Sequence, residues 1–278
     1  MQPILKAEDG AVLHIHCWPC ASPLGTVVLV HGLGEHGGRY PHVAAALNGL
    51  GWNVIAHDHR GHGRSSGARG GIDRDDVLLT DLALVIDAAR AQHAGRLALL
   101  GHSMGGLIAS RFVAESLQLK PASWSRDVDA LALSSPALAA NTNILQKLVM
   151  ATFGMFLPNV AIANGLKSEW VSRDQAAVKA YLADPLIHDR ITPRLVRFIL
   201  DGGELVRALA PRWQVPTLLM WAGADRCVAP RGSAEFAAAA PAGVVHAKSF
   251  DGLAHELFNE PEREQVIACL GQWIQQRI

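Results

Sequence analysis

The sequence predicts an α/β fold in which a mostly parallel central sheet is flanked by helices. First, runs typical of strands alternate along the chain with segments of helical periodicity. Second, several strand-like runs, such as 26–30 and 97–100, are almost continuously apolar rather than alternating, which is typical of strands buried on both faces. Third, about 80 residues between two of these runs are mostly helical in pattern. That interval predicts an insertion into the alternating core.

The elements follow one another in a simple order. Strand-like runs occupy 11–17, 25–31, 52–57, 96–101, 127–134, 215–222 and 244–250. Apolar residues recur at helical spacing in 38–50, 73–93, 104–118, 230–240 and 262–276. In the last of these, Pro261 lies near the start, where proline is well tolerated, and Trp273 belongs to the apolar stripe. Strands and helices in this order predict right-handed crossovers along a parallel sheet.

The long interval before the strand at 215–222 divides the chain. We expect 1–136 and 208–278 to form the core domain and 137–207 to form an inserted helical cap. Within the cap, 144–166 carries apolar residues on more than one face. Two interpretations stay open for this part: an ordinary buried helix pair, or a lid over an acyl-chain pocket that transiently contacts lipid surfaces.

Composition restricts the class of protein. Of 278 residues, half are apolar, and 25 basic side chains balance 25 acidic ones, so the net charge at pH 7 is zero. We therefore expect no nucleic-acid partner. The N-terminus lacks the pattern of a secretory signal, and no run of about 20 apolar residues occurs, so we expect a cytoplasmic protein without a membrane-spanning helix.

Four cysteines are present, and Cys17 and Cys20 form a C-x-x-C pair. A redox motif of this kind should open a helix after a strand, whereas this one ends a strand and enters a loop rich in Pro, Ser and Gly. We favour free structural thiols in a reducing compartment.

The pentapeptide 101–105 reads G-x-S-x-G, with a strand-like run before it and a helical segment after it. This context is typical of the nucleophile turn of serine hydrolases, which predicts Ser103 as the nucleophile. A second G-x-S-x-G, at 63–67, lies in a glycine-rich polar stretch with no helical pattern after it. We interpret that match as a surface loop.

A serine nucleophile needs a histidine base and a carboxylate that orients the histidine. In a parallel-sheet hydrolase the acid follows the serine along the chain, at the end of a later strand. Asp225 is the first carboxylate after the strand at 215–222, whereas Asp201 and Glu204 lie in the cap. Asp251 lies too near His255, the candidate base, in sequence to be the carboxylate that orients it. We predict Asp225 as the acid.

Thirteen histidines are present, so position decides which one is the base. His255 lies in the loop after the strand at 244–250, just before the last helix, and is the predicted base. Two backbone N–H groups should stabilise the oxyanion. We assign them to Met104, directly after the nucleophile, and to Leu33, in the glycine-containing loop 31–34 after an early strand.

A metal site is the competing interpretation of one histidine-rich run. The run His57-Asp58-His59-Arg60-Gly61-His62 resembles the H-x-H-x-D-H motif of metallo-β-lactamase-like hydrolases. Glycine stands where that motif needs an aspartate ligand, and the strand context differs. We favour a buried polar network that contains Asp58 and Arg60, with the histidines as packing or surface residues, and we expect no metal and no cofactor.

Several motifs are distributed over nearly the whole chain: 31–40, 58–65, 101–106, 223–226 and 254–256, with 172–174 and 181–186 in the cap. Together they resemble the monoacylglycerol lipase and lysophospholipase group of the α/β-hydrolase superfamily. The resemblance implies an α/β-hydrolase fold with the triad Ser103, Asp225 and His255, the oxyanion donors Leu33 and Met104, and an apolar acyl tunnel in the cap. Related dehalogenases and epoxide hydrolases carry an aspartate in place of the serine, which disfavours both.

Two charged residues of the first motif have two interpretations. Glu35 and Arg39 are candidate substrate-binding residues that shape the polarity of the entrance, and an internal salt bridge between them is the alternative.

We therefore expect a serine carboxylic-ester hydrolase that cleaves single-chain acyl esters through an acyl-enzyme on Ser103, with monoacylglycerol lipase as the first choice. A lysophospholipase or a short- to medium-chain carboxylesterase is the alternative. A serine acyltransferase would use the same triad and pass the acyl group to another alcohol. A non-catalytic binding protein would lack a triad member, and none is missing here. Acyl-chain length and oligomeric state stay open.

Overall fold

A computed structural model describes residues 3–140 and 156–278 of the chain. Most of the apolar part of the predicted cap, 144–155, lies outside the described residues.

An eight-stranded sheet forms the centre of the molecule. Its strands are β1 (Ile4–Lys6), β2 (Val12–Trp18), β3 (Gly25–Val30), β4 (Trp52–His57), β5 (Arg96–His102), β6 (Ala130–Ser134), β9 (Thr217–Ala222) and β10 (Val245–Phe250); β7 (Ile162–Ala163) and β8 (Arg190–Ile191) form a separate antiparallel pair. The order in the sheet is β1-β2-β4-β3-β5-β6-β9-β10. Only the β1–β2 and β2–β4 pairs of this sheet are antiparallel, so the predicted mostly parallel sheet is confirmed.

Helices lie against both faces of the sheet. Their bounds are α1 (Pro41–Gly49), α2 (Val77–Gln92), α3 (Met104–Glu115), α4 (Gln175–Ala183), α5 (Pro193–Leu209), α6 (Pro230–Ala239) and α7 (Arg263–Arg277). Along β3, Val28 and Val30 pack with α2 and α3, whereas Val27 and Leu29 pack with α1 and α7. Successive side chains of a strand point to opposite faces, so a strand between two helical layers is apolar at every position.

The seven predicted strands and five predicted helices are present, with ends displaced by a few residues. The sequence pattern did not predict β1, β7 and β8, because strands of two or three residues are too short to show an alternation of apolar and polar positions. The described part of the predicted insertion contains β7, α4, β8 and α5, and α5 continues to Leu209.

The parallel register brings the ends of several strands to one edge of the sheet. His102 at the end of β5 lies opposite Ser134 of β6, and Ser134 lies opposite Met220 of β9. Ala222, the last residue of β9, lies opposite Phe250, the last residue of β10. The loops that follow β5, β9 and β10 therefore leave the sheet side by side.

No helix in the described ranges 3–140 and 156–278 has the length and apolar character needed to cross a bilayer.

Candidate active site

Ser103 forms the sharp turn between β5 and α3. Its φ of 54° and ψ of −120° place it in a region that non-glycine residues rarely adopt. Backbone hydrogen bonds hold this conformation: the Ser103 N–H donates to the Ser134 carbonyl at 3.0 Å, and the Ser103 carbonyl accepts from Leu107 at 3.0 Å and Ala137 at 2.9 Å. The surrounding structure therefore fixes the serine above the edge of the sheet.

The glycines of this turn are required by close backbone contacts. A Cβ added to Gly105 would lie 2.0 Å from the carbonyl oxygen of Val30, and one added to Gly101 would lie 2.6 Å from that of Gly105. No side chain fits at either position.

The second G-x-S-x-G, at 63–67, is a loop, because no helix follows it until α2 begins at Val77, but it is not the surface loop that the sequence predicts at its central residue. Its central residue, Ser65, is buried and has a structural role. The Ser65 hydroxyl donates to the Asp58 carbonyl at 2.6 Å and accepts from the His14 N–H at 2.8 Å.

The structure brings the three predicted catalytic side chains into hydrogen-bonding distance. His255 Nε2 lies 2.8 Å from Ser103 Oγ, and His255 Nδ1 lies 2.7 Å from Asp225 Oδ2. A carboxylate can only accept, so Nδ1 carries the proton and Nε2 is free to accept from the serine. The other carboxylate oxygen, Asp225 Oδ1, accepts from the backbone N–H groups of Cys227 at 2.8 Å and Val228 at 3.0 Å.

Burial and charge act in opposite directions on this pair. Burial alone would lower the pKa of His255, but the charge and hydrogen bond of Asp225 outweigh it and raise that pKa above 6.5. Burial would raise the pKa of Asp225, but the charge and hydrogen bond of His255, with the two backbone N–H donors, hold it below 3.8. Asp225 is therefore ionised at neutral pH.

The two predicted oxyanion donors face the same cavity as Ser103. Met104 is the first residue of α3, and first-turn N–H groups have no acceptor within their own helix. Across the described ranges, the Leu33 N–H donates no hydrogen bond to the protein. Both donors are thus available to an oxygen bound beside Ser103.

His31 orients the peptide that carries the Leu33 N–H, a role that sequence reasoning missed. His31 Nε2 accepts from the His59 N–H at 2.9 Å, so Nδ1 carries the proton and donates to the Gly32 carbonyl at 2.8 Å. Because the peptide is trans, this bond directs the Leu33 N–H to the opposite side. Burial, together with repulsion from neighbouring histidines, lowers the pKa of His31 well below 6.5, so the neutral tautomer persists.

Glu35 and Arg39 lie in an internal ion-pair network. Arg39 pairs with Glu35 at 2.7 Å and, through two hydrogen bonds of 2.7 and 2.8 Å, with Glu256. Glu35 also accepts from the Gly32 N–H at 2.6 Å and from the Tyr40 hydroxyl at 2.7 Å. This geometry matches the interpretation of Glu35 and Arg39 as an internal salt bridge. Glu256, which follows His255, is a further partner of Arg39 that the sequence did not predict.

The fold and this geometry have counterparts among known proteins. The family model Hydrolase_4, described as serine aminopeptidase S33, matches residues 21–262. The chain belongs to this α/β-hydrolase family. The sequence-based predictions of fold, family and enzyme class are thereby confirmed, and the protein is a serine ester hydrolase.

Relatives of similar length carry lipase names. A monoacylglycerol lipase of Mycolicibacterium smegmatis is 35% identical over 260 residues, which are 92% of this chain and 90% of that protein. Human monoglyceride lipase is 32% identical over 287 residues, which are 99% of this chain and 90% of that protein. The chain also spans 29% of a longer abhydrolase domain-containing protein of Dictyostelium discoideum, at 32% identity over 277 residues.

Among solved structures, the monoacylglycerol lipase of Paleococcus ferrophilus matches with a TM-score of 0.82 and 33% identity, over 96% of this chain and 99% of that one. A variant of the Saccharomyces cerevisiae monoglyceride lipase gives a TM-score of 0.86 at 21% identity and supports the fold alone.

An apolar cavity of about 180 Å³ opens at Ser103 of this hydrolase. Besides Ser103, Leu33 and Met104, its described lining comprises Ala137, Ala139, Ala140, Asn164, Leu166, Ile191, Val196, Ile199, Leu200, Cys227 and Val228. The chain from Ala137 to Leu200 contributes most of these side chains, and none of the described lining residues is charged.

The histidine-rich run 57–62 of this hydrolase is buried, and its two charged residues belong to separate polar networks. Asp58 accepts from His16 at 2.8 Å and from two backbone N–H groups, whereas Arg60 pairs with Asp81 and Asp9. The predicted buried network around Asp58 and Arg60 is therefore present as two parts. His57, His59 and His62 are buried packing residues, and none of them is at the surface.

Proposed function

We propose that this hydrolase cleaves single-chain acyl esters, with monoacylglycerols as the main substrate class. The observation that carries the proposal is the apolar cavity that opens at a serine already hydrogen-bonded to a histidine–aspartate pair. An acyl chain in that cavity would bring its ester carbonyl beside Ser103. The names of the relatives support the same substrate class.

The proposed mechanism assigns one role to each site residue. Ser103 attacks the ester carbonyl while His255 takes its proton, and Asp225 holds the tautomer of His255 and stabilises its charged form. The N–H groups of Leu33 and Met104 stabilise the oxyanion. His255 then protonates the leaving alcohol, and water hydrolyses the acyl-enzyme with His255 as the base.

The described lining of the cavity is uncharged, which supports its occupation by an acyl chain. The names of the relatives favour monoacylglycerols over lysophospholipids as the esters that carry this chain.

We propose that residues 137–207 act as the cap over this cavity. Asn164, Leu166 and Ile191 lie in this segment and line the cavity. Phe156 and Leu182 on the same segment are 78% and 67% exposed, which supports transient contact of the cap with lipid surfaces.

All four cysteines lie in the described part of the chain and are free thiols, which supports the cytoplasmic location expected from the sequence.

A p-nitrophenyl ester series from acetyl to palmitoyl tests the substrate class. We expect kcat/KM to rise from acetyl to medium- or long-chain esters, because each methylene that enters the apolar cavity adds about 0.8 kcal/mol of transfer free energy. Monoacylglycerols with the best chain length should then be cleaved faster than the matching lysophosphatidylcholine.

Activity confined to acetyl and butyryl esters would contradict the lipid assignment and leave a small-ester hydrolase. Faster cleavage of alanine p-nitroanilide than of any ester would contradict ester specificity. Product analysis with glycerol as a competing acceptor measures acyl transfer, and a transfer rate above that of hydrolysis would identify an acyltransferase.

The pH profile tests the role of His255. The histidine must be neutral to accept the serine proton, and Asp225 raises its pKa, so kcat/KM should fall on the acid side with a midpoint above 6.5. The profile is measured with two esters of different chain length, which should share the midpoint because kcat/KM reports the free enzyme. A shared midpoint below 6.5 would contradict the ion pair in solution.

A further inference from the structure

Glu260 is a fully buried carboxylate that accepts four hydrogen bonds. One oxygen, Oε1, accepts from Ser172 Oγ at 2.7 Å and from the Arg173 N–H at 2.6 Å. The other, Oε2, accepts from Arg173 Nε at 2.6 Å and from the Ala254 N–H at 2.8 Å. The carboxylate thus uses both oxygens fully, which stabilises its ionised form.

These donors come from two distant parts of the chain. Ala254 directly precedes His255 in the loop after β10, whereas Ser172 and Arg173 lie in the proposed cap, just before α4. A further bond joins the same two segments, because the N–H of Glu256 donates to the Val171 carbonyl at 2.8 Å. Residues on both sides of His255 are therefore fastened to one short stretch of the cap.

The charge of Glu260 is supported by these contacts. Burial would raise its pKa, but the Ala254 N–H and the side chain and N–H of Arg173 lower it below 4.5. If cap residues 172 and 173 moved away, a buried carboxylate would lose three donors at once. The single donor from Ala254 would not compensate for that loss, so Glu260 and the loop it holds would have to move as well.

We propose that Glu260 is a positioning residue that fixes the loop of His255 and the cap segment 171–173 in one common arrangement. The cap can then cover the acyl chain only when His255 is placed against Ser103, and the reverse also holds. This proposal rests on the proposed function, because it assigns catalytic work to His255 and substrate covering to the cap.

The test compares Glu260→Gln with Glu262→Gln on p-nitrophenyl acetate and on the best long-chain ester. Glutamine has one acceptor oxygen, so donors on one side of residue 260 would face an amide NH₂. We expect kcat to fall about 10- to 100-fold on both esters, with KM for the acetate little changed, because His255 is displaced from Ser103. Glu262 is the matched control, since it also pairs with Arg173 but is partly exposed, and its variant should keep the wild-type rates.

Ser172→Ala weakens the link from the cap side alone. It removes one donor to Glu260 and leaves the bonds from Arg173 and Ala254, so we expect kcat to fall on both esters, by less than in Glu260→Gln. All rates are measured well below the melting temperature of each variant. If Glu260→Gln does not fold, Arg173→Met replaces it, because it removes the side-chain donor and leaves Glu260 in place; it should lower kcat on both esters.

Wild-type kcat on acetate in folded Glu260→Gln, or in Arg173→Met when that variant is used, would overturn the proposal while the proposed function stands. A wild-type protein that hydrolyses neither ester would overturn the proposed function and this proposal with it.

Discussion

Replacement of Ser103 by alanine is expected to lower kcat about a millionfold. The variant lacks the only atom that can attack the carbonyl from this turn, and His255 then has no hydroxyl to activate. Alanine keeps the backbone bonds from Ser103 to Ser134, Leu107 and Ala137, so the turn and the cavity should persist. The residual rate would reflect substrate binding and the N–H donors of Leu33 and Met104.

The measurement is steady-state hydrolysis of the best ester, with labelling by a fluorophosphonate probe as a second readout. Ser65→Ala is the matched control, because it alters the serine of the other G-x-S-x-G. Its loss of two local hydrogen bonds should cost about 1 to 2 kcal/mol of stability without changing kcat. Full activity or probe labelling in Ser103→Ala would remove the serine from the mechanism.

Elements of the fold were predictable where a long apolar pattern exists. At the centre of the sheet, β3 and β5 are buried on both faces, so their apolar runs 27–30 and 97–100 are visible in the sequence. β7 and β8 are defined only by pairing with each other across 29 residues of chain, for example Ile162 with Ile191, and no local pattern encodes that pairing.

The candidate catalytic residues were predictable for a different reason. Parallel strands end at one edge of the sheet, so the order of Ser103, Asp225 and His255 along the chain already places them together. Their supporting residues were not predictable, because each works through a contact that only the fold creates. Arg39 meets Glu256, and Glu260 meets Ser172, across 217 and 88 residues of chain.

The same limit applies to the histidine-rich run after β4. Its spacing suggests ligands, yet His59 donates to the His31 carbonyl and its own N–H fixes the tautomer of His31. A residue pattern gives the chemical groups that are available, whereas their hydrogen-bond partners decide which groups face a substrate and which support the backbone.

Replacement of Asp225 by asparagine is expected to lower kcat about 10⁴-fold with little change in KM. The reason lies in the two backbone donors at this side chain. The N–H groups of Cys227 and Val228 both point at Oδ1, so an asparagine must place its carbonyl oxygen there. Its NH₂ group then faces His255 Nδ1, which has to give up its proton to accept this bond.

The imidazole proton would move to Nε2, facing Ser103 Oγ, and the histidine could no longer accept the serine proton. Loss of the carboxylate also removes the charge that raises the pKa of His255, so the acid limb of kcat/KM should shift to lower pH. Asp251→Asn is the control, because that carboxylate lies in the same loop as His255, is exposed, and was the alternative acid in sequence. Wild-type kcat in Asp225→Asn, or an equal loss in Asp251→Asn, would contradict the assignment, since only Asp225 has the two N–H donors that force the amide into the inhibitory orientation.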